Sequence, residues 1–573
     1  MRISGRGGAW MWLPAVCLLS SALVADVAVK APFDGPVHHP RIMPADFMNI
    51  RLELAFDWER ESIQGRATHT LRVLQDGLRT LTLDAVRMTF TAVRDGEGRS
   101  LEHRAFDDRI EINLPNPAGA GDEIEITIAY QCVPEKGIYF VSPDPRYPDR
   151  PRQVWSQGEA EESRHWYPCF DSPAERVSSE VIATVPEPLE VLSNGVLRSV
   201  RENPDDGTRT FHWVQERAHV NYLITVVAGV YEKLEDSWDG IPVTSWHYRG
   251  DGERARRSFL LTADMMECFS SLFGPYPWSK YDQIVVRDFL WGGMENTTAT
   301  TLTDRTLHEA EDEPSTSSRG LVAHELAHQW FGDLVTCRDW ADLWLNESFA
   351  TFCATLYTEH HLGRPEAQME RLDQKASYLS EDRESYRRPL SCRTYRDPEV
   401  MFDRHSYPKG ARILQMLRHM LGDEPFFAGV REYLRRHAFL SVESAQLRRA
   451  LEDHTGEPLA WFFDQWIRHG GHPELRVRKS YDPETGILTL DVEQTQQVDH
   501  LTPLFRLPVE VGIYGEGEQV VVKEIEVRHA QGTFTFQVPF RPSFVRFDRS
   551  SVLLMELDLE KPRGEWIEQL RRD

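Results

Sequence analysis

The spacing of apolar residues changes twice along the chain, and these changes limit the folds that it can adopt. From about residue 49 to 230, apolar and polar residues alternate, as they do around Ile50 and Leu52. A period of two is typical of half-buried strands in an antiparallel sheet. From about residue 254 to 470 longer helical patterns dominate, and after Gly470 the alternation returns. The sequence therefore predicts a multidomain α+β protein with strands at both ends and helices in the middle.

The changes of period also give predicted domain boundaries. A chain of 573 residues is long enough for three or four domains. The predicted regions are a signal peptide at residues 1–22, an N-terminal antiparallel β domain at 35–235, an α+β domain at 236–470, a small β-sandwich at 471–560 and a C-terminal tail at 561–573. Within the α+β domain, the apolar patterns predict helices at residues 320–331, 343–360, 408–421 and 459–469, and a strand at 283–286.

The composition is that of a folded protein with a strongly acidic balance. Lysine and arginine number 65 against 90 aspartate and glutamate residues, which gives a formal net charge of -25 at pH 7. Such a charge opposes binding to the phosphate backbone of nucleic acids. We therefore expect no nucleic-acid partner, whereas a peptide with a free, positively charged amino group would not be repelled.

The first residues have the pattern of an export signal. Arg2 and Arg6 precede an uncharged stretch that reaches Ala25 and contains small residues suited to cleavage. We expect removal of residues 1–22 and a mature protein that is periplasmic or secreted. The alternative is an uncleaved signal anchor, although Pro14 disfavours a stable span. No other segment approaches membrane length, so no stable transmembrane span is expected. The six cysteines beyond the signal are expected to be buried apolar residues, one pair of which could be bonded.

The central segment contains a His-Glu-x-x-His motif, at His324, Glu325 and His328, within an apolar helical pattern. Side chains four residues apart lie on one face of a helix, so both imidazoles can bind one Zn²⁺. Glu325 is then placed to take a proton from metal-activated water rather than to bind the metal. The alternative is a pair of histidines on a helix surface without a metal.

A zinc site of this kind needs a third ligand, and Glu347 lies on the next predicted helix. It follows His328 after 18 intervening residues and would complete a His₂Glu set with an open position for water. The competing motif with a third histidine requires Gly at 331 and His at 334, where this sequence has Phe331 and Leu334. A single glutamate in an amphipathic helix is usually a surface residue, so spacing and sequence context alone assign this role to Glu347.

Three motifs together resemble the aminopeptidase N family of zinc gluzincins. They are residues 324–330 (HELAHQW), 345–350 (LNESFA) and 292–296 (GGMEN), the last of which is similar to the exopeptidase signature of that family. The resemblance extends from about residue 40 to 560. It implies a thermolysin-like α+β catalytic domain, one Zn²⁺ per chain, and hydrolysis of peptides that have a free N-terminus.

The resemblance also implies which residues bind the substrate. Glu295 would bind the α-ammonium group of the first residue through a charge-assisted hydrogen bond. Gly292 and Gly293 would let the peptide backbone approach and pair as an added strand. Met294 and Asn296 complete this part of the predicted substrate site.

A second substrate-binding segment lies upstream. Residues 155–161 (WSQGEAE) are similar to the family segment that supplies another anchor for the substrate amine. The resemblance therefore places Glu159 at the amine and Gln157 close to the bound residue. Glu161 and Glu162 are expected to be solvated neighbours.

Residues 406–411 (SYPKGA) are similar to the Tyr-x-Lys-Gly element of the family. Pro408 is favourable at the first position of a helix, which would put Tyr407 at the helix N-terminus. A phenol with an ordinary pKa near ~10 stays protonated at neutral pH and can donate to a developing oxyanion. The resemblance therefore implies that Glu325 is the general base and that Tyr407 stabilises the oxyanion.

The sequence departs from the family pattern in two places. Many members continue with a large helical C-terminal domain over the active site, and no such domain is expected here. The site is then either more open than usual or covered by a partner or a second subunit. Ser348 stands where the family usually has Gly, a difference that we expect to matter little.

Three alternative functions remain open at this point. A non-catalytic scaffold on the same fold predicts broken metal ligands, whereas all of them are intact here. An epoxide hydrolase related to the family shares the GGMEN form. Its lipid tunnel requires the helical domain, whose expected absence disfavours this function. A zinc endopeptidase cleaves within a chain and does not need to bind a terminal amine, so the predicted amine anchors disfavour this function. The preferred first residue and the oligomeric state do not follow from the sequence.

Overall fold

The structure is a computed structural model that describes residues 35–312 and 316–572. The predicted signal peptide at residues 1–22 lies outside this part of the chain. Within the described residues, none of the helices is long and apolar enough to cross a membrane. The chain forms strands first, then helices around a small sheet, and then strands again. The predicted multidomain α+β architecture is therefore confirmed.

The N-terminal segment folds into a seven-stranded, a four-stranded and a three-stranded sheet. Its strands are β1 (Ala45–Asp57), β2 (Ser62–Val73), β3 (Leu78–Asp84), β4 (Thr89–Asp95), β5 (His103–Ala105), β6 (Arg109–Ala118), β7 (Glu123–Cys132), β8 (Ile138–Val141), β9 (Gln153–Ser156), β10 (Arg176–Pro186), β11 (Glu190–Ser193), β12 (Val196–Asn203), β13 (Thr208–Val220) and β14 (Val226–Gly229). The largest sheet has the order β12-β13-β10-β1-β2-β7-β4. In the four-stranded sheet, β11-β14-β9-β8, strand β9 leads directly into residues 157–159.

The alternating apolar pattern of β1 agrees with its burial. Ile50, Leu52 and Leu54 are buried on one face of the seven-stranded sheet. One strand pair departs from the predicted antiparallel arrangement, because β1 pairs with β10 in parallel, with Leu52 opposite Val181. A parallel neighbour requires a long crossover, and here the chain forms β2 to β9 before it returns to β1.

The central segment packs helices against a five-stranded sheet. The strands of this sheet are β15 (Glu232–Trp238), β16 (Ile241–His247), β17 (Tyr281–Val286), β18 (Gly293–Met294) and β19 (Ala299–Thr303). Two more strands, β20 (Val335–Cys337) and β21 (Leu440–Val442), form a separate two-stranded sheet. The helices of the segment are α1 (Gly252–Phe259), α2 (Thr262–Phe273), α3 (Arg319–His328), α4 (Trp344–His361), α5 (Arg364–Glu384), α6 (Gly410–Leu421), α7 (Asp423–His437), α8 (Ser444–Thr455) and α9 (Ala460–Phe463). The five-stranded sheet has the order β15-β16-β17-β19-β18, which leaves β18 at one edge.

The elements predicted for the central segment are present. Three of the predicted helices correspond to α3, α4 and α6 within a few residues at each end. The fourth, at residues 459–469, is the short α9 followed by a π-helical turn (Asp464–Arg468). The predicted strand at 283–286 lies within β17. The predicted boundary at residues 235–236 falls inside β15, and the domain boundaries stay predictions.

Two sheets form the C-terminal segment. Its strands are β22 (Glu474–Asp482), β23 (Ile487–Gln494), β24 (Leu507–Tyr514), β25 (Val520–Val527), β26 (Gln531–Gln537), β27 (Phe544–Phe547) and β28 (Glu556–Leu559). The sheet orders are β26-β23-β22-β28 and β25-β24-β27, and inward-facing residues such as Val477 and Val511 are fully buried. A short helix, α10 (Arg563–Leu570), occupies the predicted tail. Between residues 474 and 572 the structure contains no large helical domain.

Helix α4 lies in the apolar core of the central segment. Phe349 on this helix stacks on Phe331, which follows α3, with ring centroids 4.3 Å apart. Trp344 at the start of α4 is also buried. The six cysteines of the described residues are buried and form no disulfide, so they act as small apolar residues. The core therefore fixes α3 and α4 against each other.

Helices α4 and α6 lie close together at Gly410, where an added Cβ atom would lie 1.7 Å from Ser348 Oγ. We predict that Gly410→Ala lowers the free energy of unfolding by about 1–3 kcal/mol, because the methyl group has no space. The measurement is thermal unfolding followed by circular dichroism. Most of the lost free energy of unfolding should be regained in the double variant Gly410→Ala/Ser348→Gly. If it is not regained, the contact with Ser348 is not the cause of the loss.

Candidate active site

Helix α3 presents the residues of the His-Glu-x-x-His motif to one cleft. At the start of the helix, Ser317 Oγ accepts a hydrogen bond from Arg319 N (3.2 Å), a common role of serine at a helix N-terminus. His328 Nδ1 donates to the carbonyl oxygen of Phe331 (2.8 Å). This bond holds the ring and directs Nε2 towards His324, where it can bind a metal once it has lost its proton.

Glu347 on helix α4 completes a set of three ligand atoms. Its Oε2 lies 3.2 Å from His324 Nε2 and 3.4 Å from His328 Nε2, and the two nitrogens lie 3.1 Å apart. Ligand atoms at about 2.0–2.1 Å from one ion and at tetrahedral angles lie about 3.3 Å apart. The three atoms therefore fit one metal ion with an open fourth position, and they are the three predicted ligands.

The protonation of these ligands depends on the balance of charge in the cleft. Burial lowers the pKa of His328, but the charges of Glu295 and Glu347 outweigh it and raise that pKa well above its ordinary value. Burial opposes ionisation of Glu347, yet the charge of His328 and the hydrogen bond with His324 lower its pKa to about 2. The carboxylate is thus ionised beside a protonated imidazole. A metal cation bound at these atoms would replace that proton.

Glu325 is buried beside the ligands, and its position depends on Gly293. A Cβ atom at residue 293 would lie 2.3 Å from Glu325 Oε1, so only glycine leaves room for the carboxyl group. Burial, together with the charge of Glu295, raises the pKa of Glu325 well above its ordinary value, against the effect of His328. A carboxylate with a raised pKa is a stronger base, which suits proton transfer near neutral pH.

Strand β18 forms the edge of the central sheet beside the motif. On one side it pairs with β19, where Gly293 lies opposite Leu302 and Met294 opposite Thr301. On the other side no strand pairs with it among the described residues. A Cβ atom at Gly292 would lie 3.2 Å from Leu321, so the backbone runs close to helix α3. An extended peptide can add to such an edge by backbone hydrogen bonds.

Three buried oxygen atoms of the cleft have no hydrogen-bond partner among the described residues. They are Gln157 Oε1, Glu159 Oε1 and Glu295 Oε1, and all three residues line the cleft that contains the histidines. One carboxylate oxygen from each of Glu159, Glu295 and Glu347 lies within 4.8 Å of the others. Because buried acceptors are normally satisfied, these atoms form a site for a group with several N–H donors.

The carboxylates at this site disfavour one another's ionisation. Burial and the charge of Glu295 raise the pKa of Glu159 well above its ordinary value. Burial likewise raises the pKa of Glu295, although the charge of His328 opposes the shift. A cation between the two carboxylates would favour their charged forms.

Asn296 is the one predicted substrate-site residue that does not line the cleft. It is buried behind the edge strand, and its Nδ2 donates to Thr301 Oγ1 (3.2 Å). Met294 does line the cleft, where its sulfur accepts a hydrogen bond from Gln157 Nε2 (2.9 Å). Asn296 thus supports the turn after the strand, whereas Met294 contacts the substrate space directly.

The loop of residues 157–162 is fixed by Glu162, which is not the solvated residue expected from the sequence. Glu162 is buried, and its Oε2 accepts hydrogen bonds from Gly137 N (3.2 Å) and Tyr139 OH (3.1 Å). Its Oε1 pairs with Lys136 (3.2 Å). The sequence of an acidic run does not indicate which residue is buried, because the partners of Glu162 come from residues 136–139, about 25 positions earlier in the chain.

Tyr407 lies in a π-helical turn (His405–Lys409) that precedes α6. The predicted helix start at Pro408 is therefore wrong, because the Asp403 carboxylate accepts from two backbone N–H groups (2.9 Å each) and starts the turn earlier. Pro408 has no N–H to donate, and the π-helical pairing accommodates it, because Lys409 N donates to the carbonyl oxygen of Arg404 in its place (3.1 Å). The Tyr407 ring lies 5.9 Å from the ring of His324. Burial, and then the charge of Glu347, raise the pKa of Tyr407 well above its ordinary value, so the hydroxyl is a donor.

A buried ion pair that the sequence analysis missed fixes this turn. Arg388 Nε and Nη2 donate to the two carboxylate oxygens of Asp403 (2.8 and 2.5 Å). Arg388 Nη2 also donates to Ser406 Oγ (2.8 Å), and Ser348 Oγ donates to Ser406 O (2.6 Å). Ser348 therefore links the turn to the helix that carries Glu347. No motif marks these residues, because their partners come from three separate elements.

The predicted residues meet in one cleft of about 570 Å³. Those that line it are Gln157, Glu159, Gly292, Gly293, Met294, Glu295, His324, Glu325, His328, Glu347 and Tyr407. Glu399 and Phe402 line it as well and were not predicted, although they lie just before Tyr407 in the chain. Another cavity, of about 590 Å³, is lined by Trp461, Trp466 and other residues, none of which is a predicted site residue.

Comparisons with known families cover most of the chain. Residues 258–466 match the peptidase family M1 domain, and residues 43–223 match the peptidase M1 N-terminal domain. The first match contains the His-Glu-x-x-His motif and Glu347, and the second contains Gln157 and Glu159. Together the two matches span more than half of the sequence.

Curated relatives carry aminopeptidase names. Aminopeptidase M1 of Arabidopsis thaliana is 31% identical over 331 residues, which cover 56% of this chain and 37% of that protein. Leucyl aminopeptidase of Saccharolobus solfataricus is 29% identical over 457 residues, which cover 76% of this chain and 55% of that protein. The chain thus spans about a third to about half of the length of these relatives.

A solved structure has the same fold. The crystal structure of Legionella pneumophila aminopeptidase A in complex with aspartic acid matches with a TM-score of 0.79 and 19% sequence identity. The match covers 92% of this chain and 61% of that chain. The family predicted from the sequence is confirmed: the chain belongs to peptidase family M1, the aminopeptidase N family of gluzincins.

Proposed function

We propose that this protein is a zinc-dependent aminopeptidase that releases single amino acids from the N-terminus of peptides. The strongest support is the set of three buried acceptor oxygens beside the metal-ligand set, at Gln157, Glu159 and Glu295. A terminal ammonium group has three N–H donors and a positive charge, which match these acceptors in number and sign. Membership of family M1 and the names of the relatives support the same activity.

The metal-ligand atoms support zinc as the cofactor, one ion per chain. His324, His328 and Glu347 would hold it, since imidazole and carboxylate are ordinary zinc ligands and their spacing fits tetrahedral geometry. When bound, zinc supplies Lewis-acid activation of the attacking water and of the scissile carbonyl group.

The protein positions the peptide from its amine end. Glu159, Glu295 and Gln157 bind the terminal ammonium, and the free edge of β18 pairs with the backbone that follows. One carboxylate oxygen of each amine anchor lies within 4.8 Å of a Glu347 oxygen, so the space between amine and metal ligands holds a single residue. Only the first peptide bond then reaches the ligands.

Two side chains of the cleft move or hold protons during hydrolysis. Glu325 removes a proton from the attacking water and delivers it to the leaving amine, a role for which its raised pKa is suited. Tyr407, protonated and aligned with His324, donates a hydrogen bond to the developing oxyanion of the substrate.

The proposed function is tested with aminoacyl-arylamides and their N-acetylated counterparts, with and without a chelator and with zinc added back. We expect cleavage of the free-amine substrates only when metal is present. The acetylated compounds should be cleaved at least ~100-fold more slowly, because they leave buried carboxylates without a cationic donor.

The other outcomes of this assay discriminate between the alternatives. Equal cleavage of the acetylated compounds would favour a zinc endopeptidase. Hydrolysis of a lipid epoxide without cleavage of any arylamide would favour the epoxide-hydrolase alternative. No hydrolysis by protein that is shown to contain zinc would favour a non-catalytic scaffold.

We predict that Glu325→Gln lowers kcat by about 100- to 10,000-fold, since it removes the proton acceptor. Zinc should stay bound at one ion per chain, because Glu325 is not a ligand. The measurements are kcat on a free-amine arylamide and metal content by plasma emission spectrometry. Glu161→Gln is the matched control, since Glu161 pairs with Arg164 outside the cleft. A kcat within tenfold of the original protein would contradict the role of Glu325.

We predict that Asp403→Asn lowers kcat about tenfold with little change in KM, because the Arg388 pair positions the turn that carries Tyr407. It should also lower the free energy of unfolding by about 3–5 kcal/mol, since it leaves a buried arginine unpaired. The control Glu359→Gln breaks another pair, with Arg418 (3.1 Å), and should reduce stability without reducing kcat.

Asp403→Asn in a Tyr407→Phe background tests whether the loss of kcat arises through the hydroxyl group of Tyr407. Residues that act through one hydroxyl group have non-additive effects, so Asp403→Asn should lower kcat little further once the hydroxyl is gone. An equal loss in both backgrounds would mean that the ion pair does not act through Tyr407.

A further inference from the structure

The cleft contains one carboxylate that the proposed mechanism does not use. Glu399 lines the cleft with the amine anchors and the metal ligands. Its Oε1 accepts a hydrogen bond from the backbone N–H of Ala160 (3.2 Å). Among the described residues no Lys, Arg or His lies within ion-pair distance of Glu399, and the nearby Lys136 pairs with Glu162 (3.2 Å). The protein therefore leaves this negative charge without a direct counter-ion.

The neighbours of Glu399 identify the part of a peptide that it faces. Ala160 directly follows the amine anchor Glu159, so Glu399 lies at the amine end of the cleft. Trp291 and Gly292 line the same cleft and precede the edge strand in the chain. The first residue of a bound peptide carries the ammonium group, so its side chain begins at the amine end of the cleft, where Glu399 lies.

Part of the wall beside Glu399 is apolar. Phe402 and Met294 line the cleft with it. An adjoining cavity of about 540 Å³ shares Glu399, Phe402 and Tyr407 with the cleft. It is also lined by Val400 and Pro408 and by the charged residues Glu381, Asp403 and Arg404. A lysine or arginine side chain can lay its methylene groups against such a wall and keep its charged end at a solvated carboxylate. A neutral side chain of the same length gains the apolar contact but not the ion pair.

The charge of Glu399 also acts on the amine anchors. After burial and the charges of Glu295 and Glu347, it is among the causes that raise the pKa of Glu159. Partial desolvation of its carboxyl group raises the pKa of Glu399 itself, against the hydrogen bond from Ala160. A second cation at Glu399 would relieve the repulsion that the ammonium alone leaves there.

We propose that this pocket receives the side chain of the first substrate residue, and that Glu399 selects a long cationic side chain, lysine or arginine. The inference rests on the proposed aminopeptidase function and names the substrate class of the same cleft. Glu399 is solvent-exposed at the cleft mouth, so its contribution is that of a partly screened ion pair.

The simpler role for Glu399 is to accept the hydrogen bond of Ala160 N and so support the loop of the amine anchor. Glu399→Gln separates the two roles, because glutamine keeps an acceptor oxygen of the same length but loses the charge. Asp397→Asn is the matched control. This substitution removes the same charge two residues away and keeps an acceptor oxygen for Glu399 N (3.0 Å). Residue 397 lines neither cavity.

The experiment compares kcat/KM of the zinc-loaded full chain and both variants on lysyl-, arginyl-, norleucyl-, glutaminyl- and glutamyl-arylamides. We expect the unmodified protein to favour lysyl and arginyl over norleucyl substrates about five- to tenfold. Glu399→Gln should abolish that preference by lowering the lysyl and arginyl rates much more than the norleucyl rate, whereas Asp397→Asn should keep the preference. The preference should also shrink as salt concentration rises.

Three results would overturn the assignment. They are an equal loss on all substrates in Glu399→Gln, a lysyl preference that survives this substitution, and a preference of the unmodified protein for glutamyl substrates. If no arylamide is hydrolysed, the proposed function fails. The affinities of the protein for free L-lysine and L-norleucine, measured by calorimetry, then test the side-chain pocket independently of catalysis. Tighter binding of lysine that is lost in Glu399→Gln supports the pocket, and equal binding overturns it.

Discussion

Four carboxylate groups crowd one buried cleft, and the need to offset their charge is the constraint on which the rest of the site depends. Glu159, Glu295, Glu325 and Glu347 are each no more than 8% exposed. Two unit charges at 4 Å repel by about 4 kcal/mol at an effective dielectric constant of 20. The cluster is therefore stable only with protons or cations. The pKa values of Glu159, Glu295, Glu325 and His328 are all raised, so each of these groups holds a proton more tightly than it would in water.

The fold assembles these like charges by taking each from a different, independently anchored element. Glu325 comes from α3, Glu347 from α4, Glu295 from the end of the edge strand and Glu159 from a loop after β9. Gln329 at the end of α3 then ties two of these elements together. Its Nε2 donates to the carbonyl of Glu295 (3.1 Å), and its Oε1 accepts from Thr298 N (3.0 Å). The packing of helix and sheet, rather than attraction between the site residues, thus stabilises the charge cluster.

The sequence predicts the parts of this arrangement that depend on local spacing. Two histidines four residues apart meet on one face of α3, and the apolar alternation of β1 gives its buried face. Gly293 was predicted for peptide approach, and the space it leaves for Glu325 could not be read from the pattern, since it depends on how a strand packs on a helix. Arg388, Asp403 and Glu162 were missed for the same reason. Charged residues usually lie on the surface, and only the fold brings their buried partners within hydrogen-bond distance.

The distance between the two amine anchors is set where the N-terminal segment meets the central one. Glu159 belongs to the first and Glu295 to the second, so neither segment alone forms the ammonium site. Buried hydrogen bonds fix the contact just after Glu295. Asn194 Nδ2 donates to Thr297 O (2.7 Å), and the backbone N–H of Gly195 donates to Thr298 Oγ1 (2.7 Å). Because buried hydrogen bonds are costly to break, the two segments are held in one relative position. The restriction to one residue per cleavage therefore depends on this contact between segments as much as on the metal ligands.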